Sequence, residues 1–208
     1  AASHSLTSEA NDLMALIAVG TFDVDSLETR VRALFSDLPA GPVERGRPTF
    51  DVPRHAGLLA SAAVDPEQSV TQVWTAFKMP REETGTFRAY RRMITGFLAV
   101  GLLNERLTEI AKKPNPPFRF ASASAGSPVR ALDMFSLFAF PEEGESESGL
   151  RAVLTELARV RRHGFTATEL DRLKSTYLAA MERAYRERDK TDSDAFAGEY
   201  VRHFLEGE

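Results

Sequence analysis

The chain of 208 residues has the composition of an ordinary globular protein, with 43% hydrophobic and 27% charged residues. Its 26 basic and 30 acidic residues give a formal net charge of -4, so we expect no basic surface of the kind that binds nucleic acid. The absence of cysteine excludes a disulfide framework, a thiolate zinc site and a cysteine nucleophile. No apolar run reaches the length of a membrane span.

The first predicted element is a buried strand over residues 13–20, which are continuously apolar up to a glycine. An amphipathic helix is predicted next, with Asp23 capping its first turn and Pro39 ending it. Its apolar stripe consists of Leu27, Val31, Leu34 and Leu38. Because one strand and one helix cannot form a core, we interpret residues 1–38 as the C-terminal remnant of a preceding α+β domain.

A linker is predicted over residues 39–53, where four prolines and two glycines disfavour regular structure. Residues 54–208 are then interpreted as a second α+β domain. Strands are predicted over residues 55–64 and 69–79, separated by a turn at residues 65–68. In the second of these strands, apolar and polar residues alternate as expected for a sheet with one buried face.

A long helix over residues 83–113 is predicted to organise this domain, because it carries two neighbouring apolar stripes at helical spacing. Two stripes predict a helix covered on most of its girth. Gly96 and Gly101 lower its helix propensity, a cost that close packing against a sheet would offset. We interpret the helix as a packing element with no chemistry of its own.

A β-hairpin is predicted from residues 118–125 and 131–140, with its turn at Gly126-Ser127-Pro128. Alanine and serine alternate in the first of these strands, so we expect a helix to approach the sheet closely there. The predicted architecture is therefore α+β, with an antiparallel-dominated sheet packed against long helices.

Three helices are predicted in the last third of the chain. The first spans the apolar positions from Leu150 to Val160 and ends at Gly164. The second begins at a capping box formed by Thr166 and Glu169, with Phe165 and Leu170 as its hydrophobic staple, and continues to about Arg188. The third carries an apolar stripe of Phe196, Tyr200 and Phe204.

The histidines give no zinc motif. They are His4, His55, His163 and His203, and none belongs to an H-E-x-x-H or H-x-x-E-H helix. His203 with Glu206 is the nearest approach to a ligand pair, and we interpret it as a solvated helix end. His163 is predicted at a helix C-terminus, where an imidazolium is favoured electrostatically, and His55 at the start of a strand.

Other catalytic patterns are also absent from the sequence, including the phosphate-binding loop, the dinucleotide fingerprint and the nucleophile elbow. The acidic cluster over residues 142–147 lacks the alternating oxygen ligands of a calcium loop, so we interpret it as a solvated loop leading into a helix N-terminus. The sequence predicts no catalytic, cofactor-binding or metal-binding residue.

Four segments, in their order along the chain, resemble the pitrilysin/insulinase family of zinc metallopeptidases, in particular the two-half zinc proteases of the bacterial periplasm. Residues 16–23 with the following helix through Phe35 resemble the end of the family's first domain. The other three segments resemble the family's second domain, which is of the inactive type. They are residues 74–80 with the long helix, Leu-Leu-Asn-Glu-Arg-Leu at 102–107, and Gly-Phe-Thr-Ala-Thr-Glu-Leu at 164–170. The resemblance covers residues 13–208.

This resemblance implies a parent enzyme whose zinc is held by an H-x-x-E-H helix and a downstream glutamate, with the middle glutamate activating the metal-bound water. Because the present sequence lacks that motif, the resemblance implies that the catalytic residues precede Leu13. No residue here inherits a ligand or general-base role, and we expect this chain alone to bind no zinc.

In the family, peptide substrates are enclosed in a chamber and added as a strand to a sheet edge, mostly in other domains. The resemblance therefore implies that this chain contributes chamber wall and packs against other domains of the same polypeptide, in a periplasmic or secreted protein. A start without methionine at Ala1 and the absence of a terminating signal at Glu208 are expected for a piece of a longer chain.

Two alternatives stay open. The same sequence features are expected in a catalytically inactive relative that keeps the fold for a structural role. The H-x-x-E-H motif that would separate the two would lie upstream of this chain. The chain is also compatible with an unrelated α+β module whose sheet edge binds a peptide.

Overall fold

The computed structural model describes residues 15–38 and 50–207. The chain divides into two compact units. One is Phe50–Tyr185, and the other combines the residues before 50 with those from Arg186 onward. Most of the predicted linker, over residues 39–49, lies outside the described residues, as do the first two residues of the first predicted strand. The division into a remnant, a linker and a second domain stays a prediction.

Five α-helices and three strands are formed by the described residues. In chain order they are α1 (Val24–Phe35), β1 (Val73–Pro80), α2 (Phe87–Ala111), β2 (Phe120–Val129), β3 (Leu132–Phe140), α3 (Ser146–His163), α4 (Ala167–Arg186) and α5 (Ser193–Glu206). The strands form one antiparallel sheet in the order β1-β3-β2. This architecture confirms the predicted α+β class with an antiparallel sheet and long helices.

The core of the Phe50–Tyr185 unit lies between the sheet and helices α2 and α3. Its buried residues are Leu103, Leu107, Phe118, Ala121, Ala123, Leu137, Ala139 and Val153. The predicted alternation in β2 is confirmed, because its alanines at 121 and 123 are buried. Their small side chains allow α2 to lie close to β2.

Helix α2 is covered over only half its length, so the prediction of a helix buried on most of its girth is wrong for its first half. Leu102, Leu103 and Leu107 are buried, whereas Phe87 is 84% exposed and Phe97 is 56% exposed. The buried half is the one that packs on β2, where Leu103 and Leu107 join the core with Ala121 and Ala123. The first half of the helix contains no buried residue, and the helix begins at Phe87 instead of Glu83.

The two glycines of α2 differ from the prediction that both pack closely against a sheet. A Cβ atom on Gly101 would lie 3.1 Å from Cδ2 of Leu173, so the close neighbour is helix α4. A Cβ atom on Gly96 would meet nothing within 4 Å. Only Gly101 is therefore explained by close packing, and its neighbour is another helix.

The hairpin is confirmed, but its turn lies four residues later than predicted. Strand β2 continues through Gly126 to Val129, with an irregularity in the register between those two residues. Val129 pairs with Leu132, which leaves only residues 130 and 131 in the turn. Pro128 is tolerated in this strand because it lies in the irregular section, where a ladder hydrogen bond from its nitrogen is not needed.

Two predicted strands are not formed. Residues 55–64 have no strand pairing and are exposed, and the described part of the first predicted strand, residues 15–20, is likewise unpaired, with Leu16 55% exposed. An apolar or alternating pattern indicates a preference for burial, but a strand also requires a hydrogen-bonded neighbour. Neither segment finds one among the described residues.

The predicted cap of α1 is confirmed, since the Ser26 amide donates to Asp23 Oδ1 at 2.8 Å. This hydrogen bond lowers the pKa of Asp23. The helix ends at Phe35, so Leu38 lies beyond it, and none of its residues is buried. Helix α4 ends at Arg186, and a short 3-10 helix, Arg188–Lys190, precedes α5.

Candidate functional site

The capping box at the start of α4 is formed as the sequence predicts. The Thr166 amide donates to Glu169 Oε2 at 2.7 Å, and the Glu169 amide donates to Thr166 Oγ1 at 3.2 Å. The Thr166 hydroxyl also donates to Glu169 Oε2, at 2.9 Å. Just before it, Gly164 caps the C-terminus of α3, and its positive φ of 67° favours glycine. These contacts fix the Glu169 carboxylate beside the connection between α3 and α4.

The Glu169 carboxylate is also bound by an arginine from α2. Arg106 donates from Nε to Glu169 Oε1 at 2.7 Å and from Nη2 to Oε2 at 2.9 Å, a bidentate pair. Its Nη1 donates to Glu156 Oε1 of α3 at 3.2 Å, and its Nη2 to the Gly164 carbonyl at 3.3 Å. The guanidinium carbon lies 5.0 Å from the centroid of the Phe165 ring. We call these five residues the Arg106 junction, which links α2, α3 and α4.

The electrostatics of the junction favour the charged forms of Glu169 and Arg106. Hydrogen bonding to Arg106, followed by the Thr166 amide, lowers the pKa of Glu169 to about 2. The same hydrogen bond raises the pKa of Arg106. Glu156 has a side chain only 6% exposed and is shared between Arg106 and Arg159, the latter at 3.3 Å. Since Glu169 carries no proton at neutral pH, it cannot serve there as a general acid.

A second polar contact ties α2 to the edge of the sheet. The Asn104 side chain accepts a hydrogen bond from the Ala123 amide at 2.6 Å and donates to the Ala123 carbonyl at 3.0 Å. The Ser122 hydroxyl also donates to Asn104 Oδ1, at 3.3 Å. Because β2 is an outer strand, these contacts satisfy backbone groups that no neighbouring strand reaches. Asn104 therefore braces the sheet against α2.

Two open cavities flank these contacts. One, of about 420 Å³, lies beside the junction and is lined by polar and charged residues that include Glu109, Lys113 and His163. The other, of about 630 Å³, lies near the start of α3. Within the described residues, every buried side-chain nitrogen or oxygen has a hydrogen-bond partner. The polar groups of this region are thus used to hold one helix against another.

The histidines are spread over separate parts of the chain. His55 lies in an irregular segment instead of a strand, with Nδ1 3.1 Å from the Gly57 carbonyl oxygen. His163 is the last residue of α3, as predicted, and His203 lies in the last turn of α5. His4 lies outside the described residues, as does the side chain of Glu206. His55 and His163, both in the Phe50–Tyr185 unit, therefore belong to different elements of it.

The acidic cluster over residues 142–147 leads into α3, as predicted. Glu145 precedes the first residue of that helix, and the Ser148 hydroxyl donates to Glu145 Oε2 at 2.8 Å. Glu142 accepts from Arg119 Nε at 2.7 Å. Over residues 15–38 and 50–207, no three histidine or acidic side chains are grouped to hold a metal ion. That no residue of this chain is catalytic, cofactor-binding or metal-binding stays a prediction.

Sequence reasoning missed the roles of Asn104 and Arg106, although both belong to the segment that carries the family resemblance. A signal was present, since the two polar residues lie between the buried Leu103 and Leu107. Polar groups this close to a core need partners, and these two find theirs on β2, α3 and α4.

A three-stranded antiparallel sheet packed against helices α2 and α3 places the chain in the class of α+β proteins. The chain belongs to the family described as the peptidase M16 inactive domain, whose model matches residues 10–177. The family resemblance stated from the sequence is thereby confirmed.

Relatives of known name support the same family. The chain is 29% identical over 196 residues to a zinc protease PQQL-like protein of Arabidopsis thaliana, covering 94% of this chain and 18% of the relative. It is 25% identical over 181 residues to the probable zinc protease PqqL of Escherichia coli strain K12, covering 86% of this chain and 19% of the relative. The chain thus spans about a fifth of the length of these curated relatives.

Solved structures show the same fold. The crystal structure of the periplasmic protease PqqL from Escherichia coli matches with a TM-score of 0.70 and 19% identity, over 88% of this chain and 20% of that one. A predicted insulinase family protease from Yersinia pestis matches with a TM-score of 0.62 and 18% identity, over 88% of this chain and 39% of that one. No helix in the described parts of the chain is both long and apolar enough to cross a membrane.

Proposed function

We propose that this chain is a non-catalytic portion of a zinc-dependent endopeptidase, in which it forms chamber wall and packs against other domains. The observation that carries the proposal is the match of residues 10–177 to the M16 inactive domain, together with relatives that are named zinc proteases. The Arg106 junction supports it, because its charged groups are bound to one another and join three helices.

In the proposed parent polypeptide, residues 1–38 end a preceding domain, residues 39–53 form the linker, and residues 54–208 belong to the second domain of one half. Zinc and the activated water belong to a different domain, where the H-x-x-E-H motif would lie. Peptides are the proposed substrates. A periplasmic location is proposed from the description of the Escherichia coli relative as a periplasmic protease.

The test compares the 208-residue chain with the longer polypeptide that contains it. Both are assayed with quenched fluorescent peptides after removal of metal and after addition of Zn²⁺, and bound zinc is measured by elemental analysis. We expect zinc-dependent cleavage and one zinc per active site in the longer polypeptide, and neither in the 208-residue chain. Zinc-dependent cleavage by the 208-residue chain would contradict the proposal.

The same assay separates the proposal from its main alternative. A longer polypeptide that folds, binds no zinc and cleaves no peptide identifies a structural relative instead of an enzyme. As a matched control, His163→Gln in the longer polypeptide should leave zinc content and cleavage unchanged, because His163 is an exposed residue at the end of α3. Loss of zinc in that variant would place a ligand in this chain and would also contradict the proposal.

A further inference from the structure

The outer edge of strand β1 is open in the structure. The sheet has the order β1-β3-β2, so β1 pairs with β3 on one side only. Over the described part of the chain, the backbone of residues 73–80 makes no hydrogen bond to another backbone group outside the sheet. Trp74 is 61% exposed and Phe77 is 41% exposed. An apolar strand with a free edge is a template to which a further strand can add.

One segment of the same chain is held near this edge at both of its ends. Residues 54–64, which we call the strap, follow Pro53, whose carbonyl accepts a hydrogen bond from Lys78 Nζ of β1 at 3.2 Å. The strap ends at a turn in which the Gln68 amide donates to the Asp65 carbonyl at 3.0 Å, a few residues before β1 begins. The strap thus starts beside the end of β1 and finishes near its beginning, which is the direction of an antiparallel strand.

The contacts at the two ends define nearly the same register between the strap and β1. Continuing the hydrogen-bonded pair of the turn along both arms places Leu59 opposite Trp74. The same register places His55 opposite Lys78. The observed contact joins Lys78 to Pro53, which is two residues further along. Two residues of strand are about 7 Å, a distance that a long lysine side chain can cover.

Two bends hold the strap away from β1 in the structure. The chain bends at residues 56–57 and again at Val70. Gly57 has a φ of 79°, a conformation that glycine adopts readily. Beyond it, Leu58 is 86% exposed and Leu59 is 70% exposed. β1 becomes the neighbouring strand of this segment only when the two bends straighten.

We propose that the strap closes onto the free edge of β1 as a fourth, antiparallel strand, with Leu59 beside Trp74. Closure pairs the free backbone groups of both segments in one ladder. Trp74 lies on the face of the sheet opposite the helices, because its neighbour Val73 packs against the core. A leucine beside this tryptophan is a stabilising cross-strand pair. The closed strap also occupies an edge to which a strand of another molecule would otherwise add. This inference concerns the 208-residue chain alone and does not rest on the proposed function.

The experiment uses Trp74, the single tryptophan of the chain, as a reporter of closure. Quenching of its fluorescence by acrylamide is compared in the 208-residue chain and in variants whose circular dichroism is unchanged. The double change Leu59→Pro with Ala60→Pro prevents closure, because adjacent strand amides point to opposite sides and one of the two prolines must remove a hydrogen bond to β1. The matched control is Glu83→Pro with Thr84→Pro, at exposed positions outside the strap and outside any helix or strand.

The quenching constant should rise at least twofold in the double-proline strap variant and stay within the error of the parent value in the control. Amide hydrogen exchange in the strap should be at least tenfold slower in the parent chain than in that variant. Equal quenching and equal exchange in the two would overturn the inference. Quenching of the parent that falls as its concentration rises would also overturn it, since a second copy would then occupy the edge.

A change at Gly57 tests the bend in the opposite direction. Gly57→Ala disfavours the positive φ of the open strap, and the added Cβ atom would meet nothing within 4 Å, so the change acts on the backbone alone. Quenching of Trp74 should therefore fall below the parent value. A rise to the level of the double-proline strap variant would contradict the proposed closure.

Discussion

Changing Glu169 to glutamine separates the two roles that this carboxylate has in the structure. Glutamine can occupy the third position of a capping box, so the variant keeps a partner for the Thr166 amide. It loses the charge that binds Arg106 in two parallel hydrogen bonds of 2.7 and 2.9 Å. The change therefore removes the ion pair of the Arg106 junction and retains the start of α4.

The pKa of Glu169 gives the expected magnitude. A pKa lowered from 4.5 to about 2 corresponds to about 3 kcal/mol of stability at neutral pH, at roughly 1.4 kcal/mol per unit. This figure is an upper bound, because the Glu169 side chain is 22% exposed and solvent screens part of the interaction. We expect the Glu169→Gln variant to lose about 2 kcal/mol at pH 7, in the range for a charge-assisted bidentate pair.

The pH dependence follows from the sign of the shift. Since the folded pKa is lowered, the stability from this group is fully present above the unfolded value of 4.5. It is lost progressively as the pH falls from about 4.5 to about 2. The difference in unfolding free energy between the parent chain and Glu169→Gln should therefore be largest at pH 7 and small near pH 2.

Urea unfolding followed by circular dichroism at pH 7, 4.5, 3.5 and 2.5 measures this difference. Thr166→Ala is the matched control, because it removes the capping hydroxyl at a cost of about 1 kcal/mol and leaves the Arg106 pair in place. The Thr166→Ala variant should keep most of the pH-dependent part of the unfolding free energy. A constant difference for Glu169→Gln across this range would refute the assignment of the low pKa to the pair with Arg106.

Four other substitutions test the packing of the Phe50–Tyr185 unit. Asn104→Ala should cost about 1–3 kcal/mol and speed hydrogen exchange at the amide of β2 that it binds, because no neighbouring strand replaces its hydrogen bonds. Gly149→Ala should destabilise the chain, since a Cβ atom there would lie 2.8 Å from Cβ of Pro141, whereas Gly96→Ala should stabilise it by up to about 1 kcal/mol. Leu137→Ala should lower the unfolding free energy by about 2–5 kcal/mol, as expected for a fully buried leucine. Equal effects of the two glycine changes would contradict the packing described for Gly149.

The features that sequence predicted well depend on residues close together in the chain. The capping box of Thr166 and Glu169 spans three residues, and the cap of α1 joins Asp23 to Ser26. The alternation of β2 is also local, because small side chains at every second position fix which face a helix can approach. In each case the interacting residues lie within a few positions of one another, so the sequence pattern was sufficient to predict the contact.

The predictions that failed depend on what lies across the fold. The strand predicted over residues 55–64 has an adequate pattern but no neighbouring strand among the described residues. The apolar stripes of α2 indicated burial along the whole helix, yet only its second half packs on the sheet, and its first half is exposed. The turn predicted at Gly126-Ser127-Pro128 became an irregular section of β2, because the pairing of β2 with β3 continues past it. A sequence pattern indicates which residues prefer to be buried or paired. How far a strand or a buried helix face extends depends on the elements that lie beside it.

The Arg106 junction brings together two segments that are far apart in the sequence and that both carry the family resemblance. Residues 102–107 and 164–170 are separated by more than fifty residues, and nothing in either segment identifies the other as its partner. In the structure, Arg106 of the first binds Gly164, Phe165 and Glu169 of the second. Removing Arg106 would take away the cation that the Glu156 and Glu169 carboxylates share, and the Glu156 side chain is only 6% exposed. These contacts join the second half of α2 to the start of α4.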